Sequence, residues 1–179
     1  MSATETLRND HMQMRRLEKI VVKSYERIYA GHDIPFEDLD RMVQIMFEFL
    51  DAIHYSREED SYFACVGAYG TLKEEIRAFM IEHELSRRIA GNISKHLQRW
   101  KQGEDAREPV ARFLKAYAVY LDDHMKKEDA FFDVAEKEVL SPEEEKMMYE
   151  EFLAVNATVS KLADLVKSID YLEKVDWMT

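Results

Sequence analysis

Residues Leu121 to Phe132 read LDDHMKKEDAFF, and the spacing inside this stretch decides the fold. His124 and Glu128 stand four apart, so on a helix they share one face, about 6 Å apart along the axis. Leu121 lies one turn before them, and the pair Phe131-Phe132 follows. A near copy, IHYSREEDSYF, spans Ile53 to Phe63, with His54 and Glu58 at the same spacing and Tyr62-Phe63 behind them. One His-x-x-x-Glu is common on helical surfaces. Two, each set in an apolar stripe, point to a shared task inside a helical bundle.

Composition limits what that task can be. The chain has 179 residues and is 46% hydrophobic, enough for a substantial core, and its 5 Gly and 3 Pro supply few turns for an all-β fold. A formal net charge of -11, from 25 basic and 36 acidic residues, argues against nucleic acid or an anionic membrane as partner and suits a protein that gathers cations. Cys65 stands alone, which excludes an intramolecular disulfide and suggests a reducing compartment. The opening MSATETLRND has no apolar core of the kind a secretion signal needs, and no run of about 18 apolar residues exists to span a membrane. A cytoplasmic location is the expectation.

Breakers divide the rest into helices. Gly31–Pro35, Gly67–Gly70 and Gln102–Asp105 punctuate the chain, and Ser141-Pro142 followed by three glutamates reads as a strong helix start. Between them apolar residues recur at three and four: Leu7, Met14, Val21, Tyr25 and Ile28; then Leu39, Met42, Val43, Met46 and Leu50. Ile76, Phe79, Met80, Ala90 and Ile93 mark the third segment, and Phe113, Tyr117, Tyr120 and Leu121 the fourth. The expected fold is all-α: an up-down-up-down four-helix bundle over residues 1–140 and an additional C-terminal helix over 141–179, in one domain. Met148, Phe152, Val155, Val159, Leu162, Val166 and Ile169 form a heptad seam on that last helix, which either docks on the bundle or pairs with a second chain as a homodimer.

His11 and His83 fall on the apolar stripes of the first and third helices, so each bundle helix offers one inward histidine. In an antiparallel hairpin two residues share a level when the loop lies midway between them. The midpoint of His11 and His54 falls in Gly31–Pro35, that of His54 and His83 in Gly67–Gly70, and that of His83 and His124 in Gln102–Asp105. Four imidazoles should therefore form one layer, with Glu58 and Glu128 a turn away. His32 and His96 fall outside it and read as surface residues.

Two carboxylates buried without partners are costly, and neutral imidazoles do not neutralise them. Two cations would. Imidazole nitrogen with carboxylate oxygen suits iron, with manganese or zinc as second choices, whereas calcium or magnesium would take oxygen alone. Two glutamates in the centre can bridge two ions, each ion taking two histidines and keeping open positions. On this reading, stripping the ions should raise the carboxylate pKa values, and losing Glu128 should cost the metal-free protein little.

These residues carry a resemblance. Asn9-Asp10-His11, His54-Tyr55-Ser56-Arg57-Glu58-Glu59, Glu82-His83-Glu84 and His124 to Phe132 together resemble the hemerythrin-like, or HHE cation-binding, family over about residues 1–140. The resemblance implies a non-haem di-iron centre, two irons with an oxo or hydroxo bridge, held by His11, His54, Glu58, His83, His124 and Glu128. It implies a small ligand such as oxygen, nitric oxide or peroxide. The family's oxygen carriers have a fifth histidine four residues after the ligand of the third helix; here that position is Arg87. The set is similar to that of the four-histidine, two-glutamate members linked to iron-centre repair and to oxidative or nitrosative stress, although the cysteine-bearing N-terminal segment of that branch is not seen. Binding, storage or sensing without turnover, and a structural metal bundle, are the alternatives.

Asp129 and Glu59 each follow a central glutamate, and on a regular helix Glu128 and Glu58 are better placed to face the centre. A π-bulge in the fourth helix would change that choice. Glu18 and Arg87 lie deeper on inward stripes, where they either form a buried pair or both extend outward to water. Tyr25, Tyr117 and Tyr120 are placed to hydrogen-bond near the cavity.

Overall fold

Four long helices and a shorter C-terminal pair make up the computed structural model, which describes residues 1–154 and 156–179 and the side chains of all these but 156–159. Helix α1 is Ala3–Tyr29. Helix α2 covers 36–68: it starts as the α-helix Phe36–Ile45, widens into π-helical stretches over Met46–Tyr55 and Glu58–Tyr62, and ends as the α-helix Phe63–Ala68. Helices α3 (Lys73–Lys101) and α4 (Arg107–Val134) follow, the latter prolonged by a π-turn at Ala135–Val139. Then come α5 (Pro142–Ala154), α6 (Asn156–Leu172) and a 3-10 turn at Asp176–Met178. There is no strand among the described residues.

The ends of these helices are written in local chemistry. Ser2 accepts from the Glu5 amide while the Glu5 carboxylate accepts from the Ser2 amide, a capping box that opens α1. Gly31 closes it: at φ +82° this residue lets the His32 amide reach back to the Arg27 carbonyl at 3.0 Å, a turn closed from the left-handed region. Gly103, at φ +90°, does the same for α3. Ser141 opens α5 as expected, its hydroxyl 3.3 Å from the Glu144 amide and the Glu144 carboxylate 2.8 Å from the Ser141 amide.

Short loops force neighbours to run antiparallel. α1 packs along α4, α4 along α3, and α2 against α3 and α1, which closes the four-helix ring. Two apolar clusters fill it. One holds Met14, Leu17, Ile20, Phe49, Ile53, Tyr55, Tyr117, Leu121 and Met125; the other holds Leu7, Tyr62, Phe63, Phe79, Phe131 and Phe132. Each such side chain contributes about 1.5–3 kcal/mol by leaving water. His11, His54, His83 and His124 lie in sequence between members of the first cluster and members of the second, so the polar layer is sealed from both sides.

The C-terminal segment lies on the outside of its own bundle. α5 packs on α1 and on the Glu58–Tyr62 stretch, while α6 packs on α1 and α2. Of the expected seam, Met148, Phe152 and Ile169 are buried and Leu162 is half-buried against the core. Leu165 and Leu172, outside the expected pattern, are buried as well; Val155 and Val159 lie outside the described residues. Buried Glu145 on α5 receives the Thr4 amide at 2.9 Å and also bonds the Thr4 hydroxyl, which in turn meets Tyr62 Oη at 2.5 Å. Trp177 donates its indole N–H to Asp38 at 2.7 Å, tying the C-terminus to the start of α2.

Three expectations need correction. Met80 is 40% exposed, because Phe79 takes the inward position of α3. Helix α2 is not regular: it is π-helical around His54 and Glu58. Four residues slightly overshoot one α-turn and slightly undershoot one π-turn, so positions i and i+4 share a face in either geometry and the motif survives. Glu18 and Arg87 do not pair. Arg87 turns to Asp51 and Glu59 across the α2–α3 groove, and Glu18 is half-buried near Asp122 and Lys19, its carboxyl pushed up by burial.

Candidate metal centre

Six side chains converge between the two apolar clusters. His11 comes from α1, His54 and Glu58 from α2, His83 from α3, His124 and Glu128 from α4, and all six are fully buried. The rings of His11 and His54 are 5.1 Å apart and those of His83 and His124 are 5.0 Å apart. Glu128 stands between the two pairs. One of its oxygens is 3.1 Å from His124 Nε2 and 3.3 Å from His11 Nε2, and the other is 3.4 Å from His83 Nε2. Glu58 faces it with 3.4 Å separations to His54 Nε2 and His83 Nε2. The chain thus brings the four expected histidines together, with the carboxylates of both expected glutamates within 3.4 Å of their Nε2 atoms.

The outward ring nitrogens are equally ordered. Every one of the four Nδ1 atoms meets a carboxylate: His11 with Asp129 at 2.8 Å, His54 with Asp10 at 3.3 Å, His83 with Glu59 at 2.8 Å, and His124 with Glu82 at 2.7 Å. A carboxylate accepts, so Nδ1–H donates. That fixes the tautomer and leaves the Nε2 lone pair facing the centre. Asp129 and Glu59, the two acids next to the central glutamates, therefore serve the histidines from outside. Sequence reasoning missed this role, and it missed Asp10 and Glu82. The available signal was adjacency, since each outer acid sits next to an inward residue.

The inner atoms approach one another at 3.1–3.4 Å without the geometry of a hydrogen bond. Nε2 of all four histidines and both oxygens of Glu58 and of Glu128 are buried with no hydrogen bond among the described residues. Eight buried polar atoms without a hydrogen bond would each cost about 1–3 kcal/mol if left so. They sort into two overlapping sets, each with atoms mutually within 4.8 Å: His11, His54, Glu58 and Glu128; and His83, His124 and Glu128. Nitrogen with carboxylate oxygen fits a borderline transition metal, and Glu128 belongs to both sets, as a bridging carboxylate would.

Without a cation His11, His83 and His124 take up the charge as protons. Burial lowers His83, but Glu128, Glu58 and Glu59 outweigh it and push the imidazole up to about 11. Burial likewise lowers His11, and Asp129 and Glu128 bring it up to about 9. His124 is raised against burial by Glu128 and Glu82. Glu128, which burial would raise, is instead held well below the carboxylate range by His124, His11 and His83. For Glu128 the expected rise on metal removal is therefore corrected: imidazolium replaces the cation, and this carboxylate stays ionised.

Aromatic rings wall the layer. Tyr55 stacks on His83, centroids 3.8 Å apart, and Tyr120 stacks on His124 at 5.1 Å. Tyr55 donates its hydroxyl to Ser86 at 2.9 Å and lies 3.3 Å from Tyr120 Oη. Burial raises both phenols, so they stay protonated. Tyr117 is buried beside them, whereas Tyr25 lies away from the layer against Tyr29. His32 is exposed, and His96 stacks on Phe113, remote from the centre.

A helical bundle with a buried cage of imidazoles and carboxylates defines a class of cation-binding protein. The model of the hemerythrin HHE cation binding domain matches residues 2–135, and the chain belongs to that family. It is similar to Uncharacterized protein Rv1995 of Mycobacterium tuberculosis and to Uncharacterized protein Mb2018 of Mycobacterium bovis. It is 23% identical to each over 180 residues, covering 94% of this chain and 71% of the relative. No solved structure matches it. No helix among the described residues is long and apolar enough to cross a membrane.

Proposed function

We propose that the chain is a single hemerythrin-like domain that holds two irons in the bundle core and reacts with, or senses, a small diatomic molecule or peroxide. The observation that carries this reading is the set of eight buried polar atoms without a hydrogen bond, grouped in two overlapping clusters. His11 and His54 would hold one ion, His83 and His124 the other, and Glu58 and Glu128 would bridge. Manganese or zinc in the same cage are the second choices. A bound iron pair would supply two electrons at positions the protein leaves open.

The chain's own residues do the rest. Asp129, Asp10, Glu59 and Glu82 orient the four rings and keep their Nε2 atoms inward. Phe63, Phe79, Phe132, Tyr55 and Tyr120 pack against the imidazoles and keep bulk water from the layer, which suits a small ligand. Arg87 points away from the centre to Asp51 and Glu59, so no fifth histidine-like ligand is offered on that side. A cytoplasmic setting and a part in oxidative or nitrosative stress, such as iron-centre repair, accompany this reading.

The test is metal content per chain with an absorption spectrum, on protein purified without chelator. Two irons with near-ultraviolet and visible absorption are expected; a colourless zinc protein would favour a structural role. Turnover of peroxide or nitric oxide by the loaded protein separates catalysis from storage or sensing.

A further inference from the structure

The outer acids are themselves held, and the pattern closes on itself. Asp10 of α1 takes His54 of α2, Glu59 of α2 takes His83 of α3, Glu82 of α3 takes His124 of α4, and Asp129 of α4 takes His11 of α1. Behind each acid stands a cation. Arg57 meets Asp10 at 2.7 Å, Arg87 meets Glu59 at 2.9 Å, Lys127 pairs with Glu82, and Arg15 pairs with Asp129.

Helix geometry explains why the ring closes. In α1 and α3 the acid precedes the histidine and the cation follows it by four: Asp10-His11 with Arg15, Glu82-His83 with Arg87. In α2 and α4 the order is histidine, cation three later, central glutamate, acid: His54, Arg57, Glu58, Glu59, and His124, Lys127, Glu128, Asp129. One residue turns about 100° around a helix. A step back on a rising helix and a step forward on a descending one rotate the same way when seen from one end. Each acid therefore aims at the next helix, and each cation at the acid arriving from the previous one.

We propose that Arg15, Arg57, Arg87 and Lys127 are positioning residues of the centre, acting in two independent pairs. Arg15 and Arg57 govern the ion of His11 and His54; Arg87 and Lys127 govern the ion of His83 and His124. This rests on the metal-centre reading above. The cation fixes the carboxylate's rotamer and draws part of its charge, and the carboxylate fixes the imidazole plane. Glu59, Glu82 and Asp129 are partly exposed and can swing into water once released, whereas Asp10 is buried and Arg57 cannot be removed without stranding its charge. Arg87 and Arg15 are thus the positions to test.

The probe is cobalt(II), titrated into the chelator-stripped full chain and followed by its visible bands and by release to a competing chelator. Arg87→Met should weaken one ion by about 10–100-fold and leave the other at its wild-type affinity. Arg15→Met should weaken the other ion, with different bands bleached, and Arg87→Lys should restore most of the loss. Arg88→Met, at an exposed ion pair with Glu84, serves as control and should change neither ion. Far-ultraviolet circular dichroism of the metal-free variants should match wild type, which separates positioning from loss of fold. Wild-type affinity for both ions in Arg87→Met, or equal weakening of both, overturns the proposal while leaving the metal centre standing. Wild-type protein that takes up no cobalt overturns the metal-centre reading and this proposal with it.

Discussion

Tyr55 lies flat against His83, ring centroids 3.8 Å apart and planes 13° from parallel, although the two residues come from different helices. The stack joins the centre to the core, because the Tyr55 hydroxyl continues to Ser86 on α3 and to Tyr120 on α4. Tyr55→Phe keeps the stack but leaves the Ser86 and Tyr120 hydroxyls short of a partner. It should cost about 1–3 kcal/mol. Tyr55→Ala also opens a cavity and should cost about 3–5 kcal/mol, on the scale of other large aromatic truncations. Urea denaturation of both variants checks the order; equal costs would show that the hydroxyl, not the ring, holds the site.

The metal-free protein should lose stability as pH rises. The folded values of His11, about 9, and His83, about 11, lie above the ordinary 6.5. A raised value means that proton uptake stabilises the fold fully below about pH 6.5 and ceases to do so as pH climbs through 9 towards 11. Glu128 acts in the opposite sense: held below the ordinary 4.5, it stabilises above that pH and is lost as pH falls through its folded value. Thermal melts of chelated protein from pH 6 to 11 should fall steadily. Iron should flatten the decline, since bound metal displaces the protons. A melting temperature that climbs between pH 7 and 10 contradicts the assignment.

Glu128 and Leu121 separate site from core. Leu121→Ala should cost about 2–5 kcal/mol with or without iron, as a buried cavity. The small cost expected from the sequence for losing Glu128 is corrected by the imidazolium beside it: Glu128→Ala strands those charges in the metal-free protein and should cost a comparable amount, about 3–5 kcal/mol, as for any broken buried pair. The difference lies in the response to metal. Leu121→Ala should keep the stabilisation that iron adds, about 2.7 kcal/mol at a hundredfold excess over the dissociation constant, and Glu128→Ala should lose most of it. Melts of each variant with and without iron decide.

Arg87 bears on what oxygen does at the centre. Position 87 is arginine and turns to Asp51 and Glu59, so the ion proposed at His83 and His124 would gain no third imidazole. The reduced, iron-loaded protein is expected to be oxidised by oxygen without forming a long-lived adduct. A spectral species that forms in air and vanishes on degassing would contradict this.

Glu145→Ala should loosen α5 without touching the centre. The carboxylate carries the Thr4 amide and hydroxyl, and through Thr4 the Tyr62 hydroxyl. Its loss leaves buried donors unpaired and should cost about 1–3 kcal/mol, with amide exchange rising first in Pro142–Ala154. Unchanged protection there would place the anchor of α5 in Met148 and Phe152 instead.

Periodicity and the placing of the breakers determined the helices, their antiparallel order and the level shared by His11, His54, His83 and His124. These follow from the 3.6-residue turn and from loops too short to allow another arrangement. Periodicity also singled out Glu58 and Glu128, because the i and i+4 positions share a face even where α2 becomes π-helical. Tertiary structure decided what depends on neighbouring helices. Asp10, Glu59, Glu82 and Asp129 each act on a histidine of another helix, and only the packed bundle brings the two within 3.3 Å. The same packing turned Arg87 to Glu59 and not to Glu18, and it let the histidines hold Glu128 ionised. One helix's pattern says which way a residue points; what it meets there depends on the surface, charge and dielectric of the neighbouring helices.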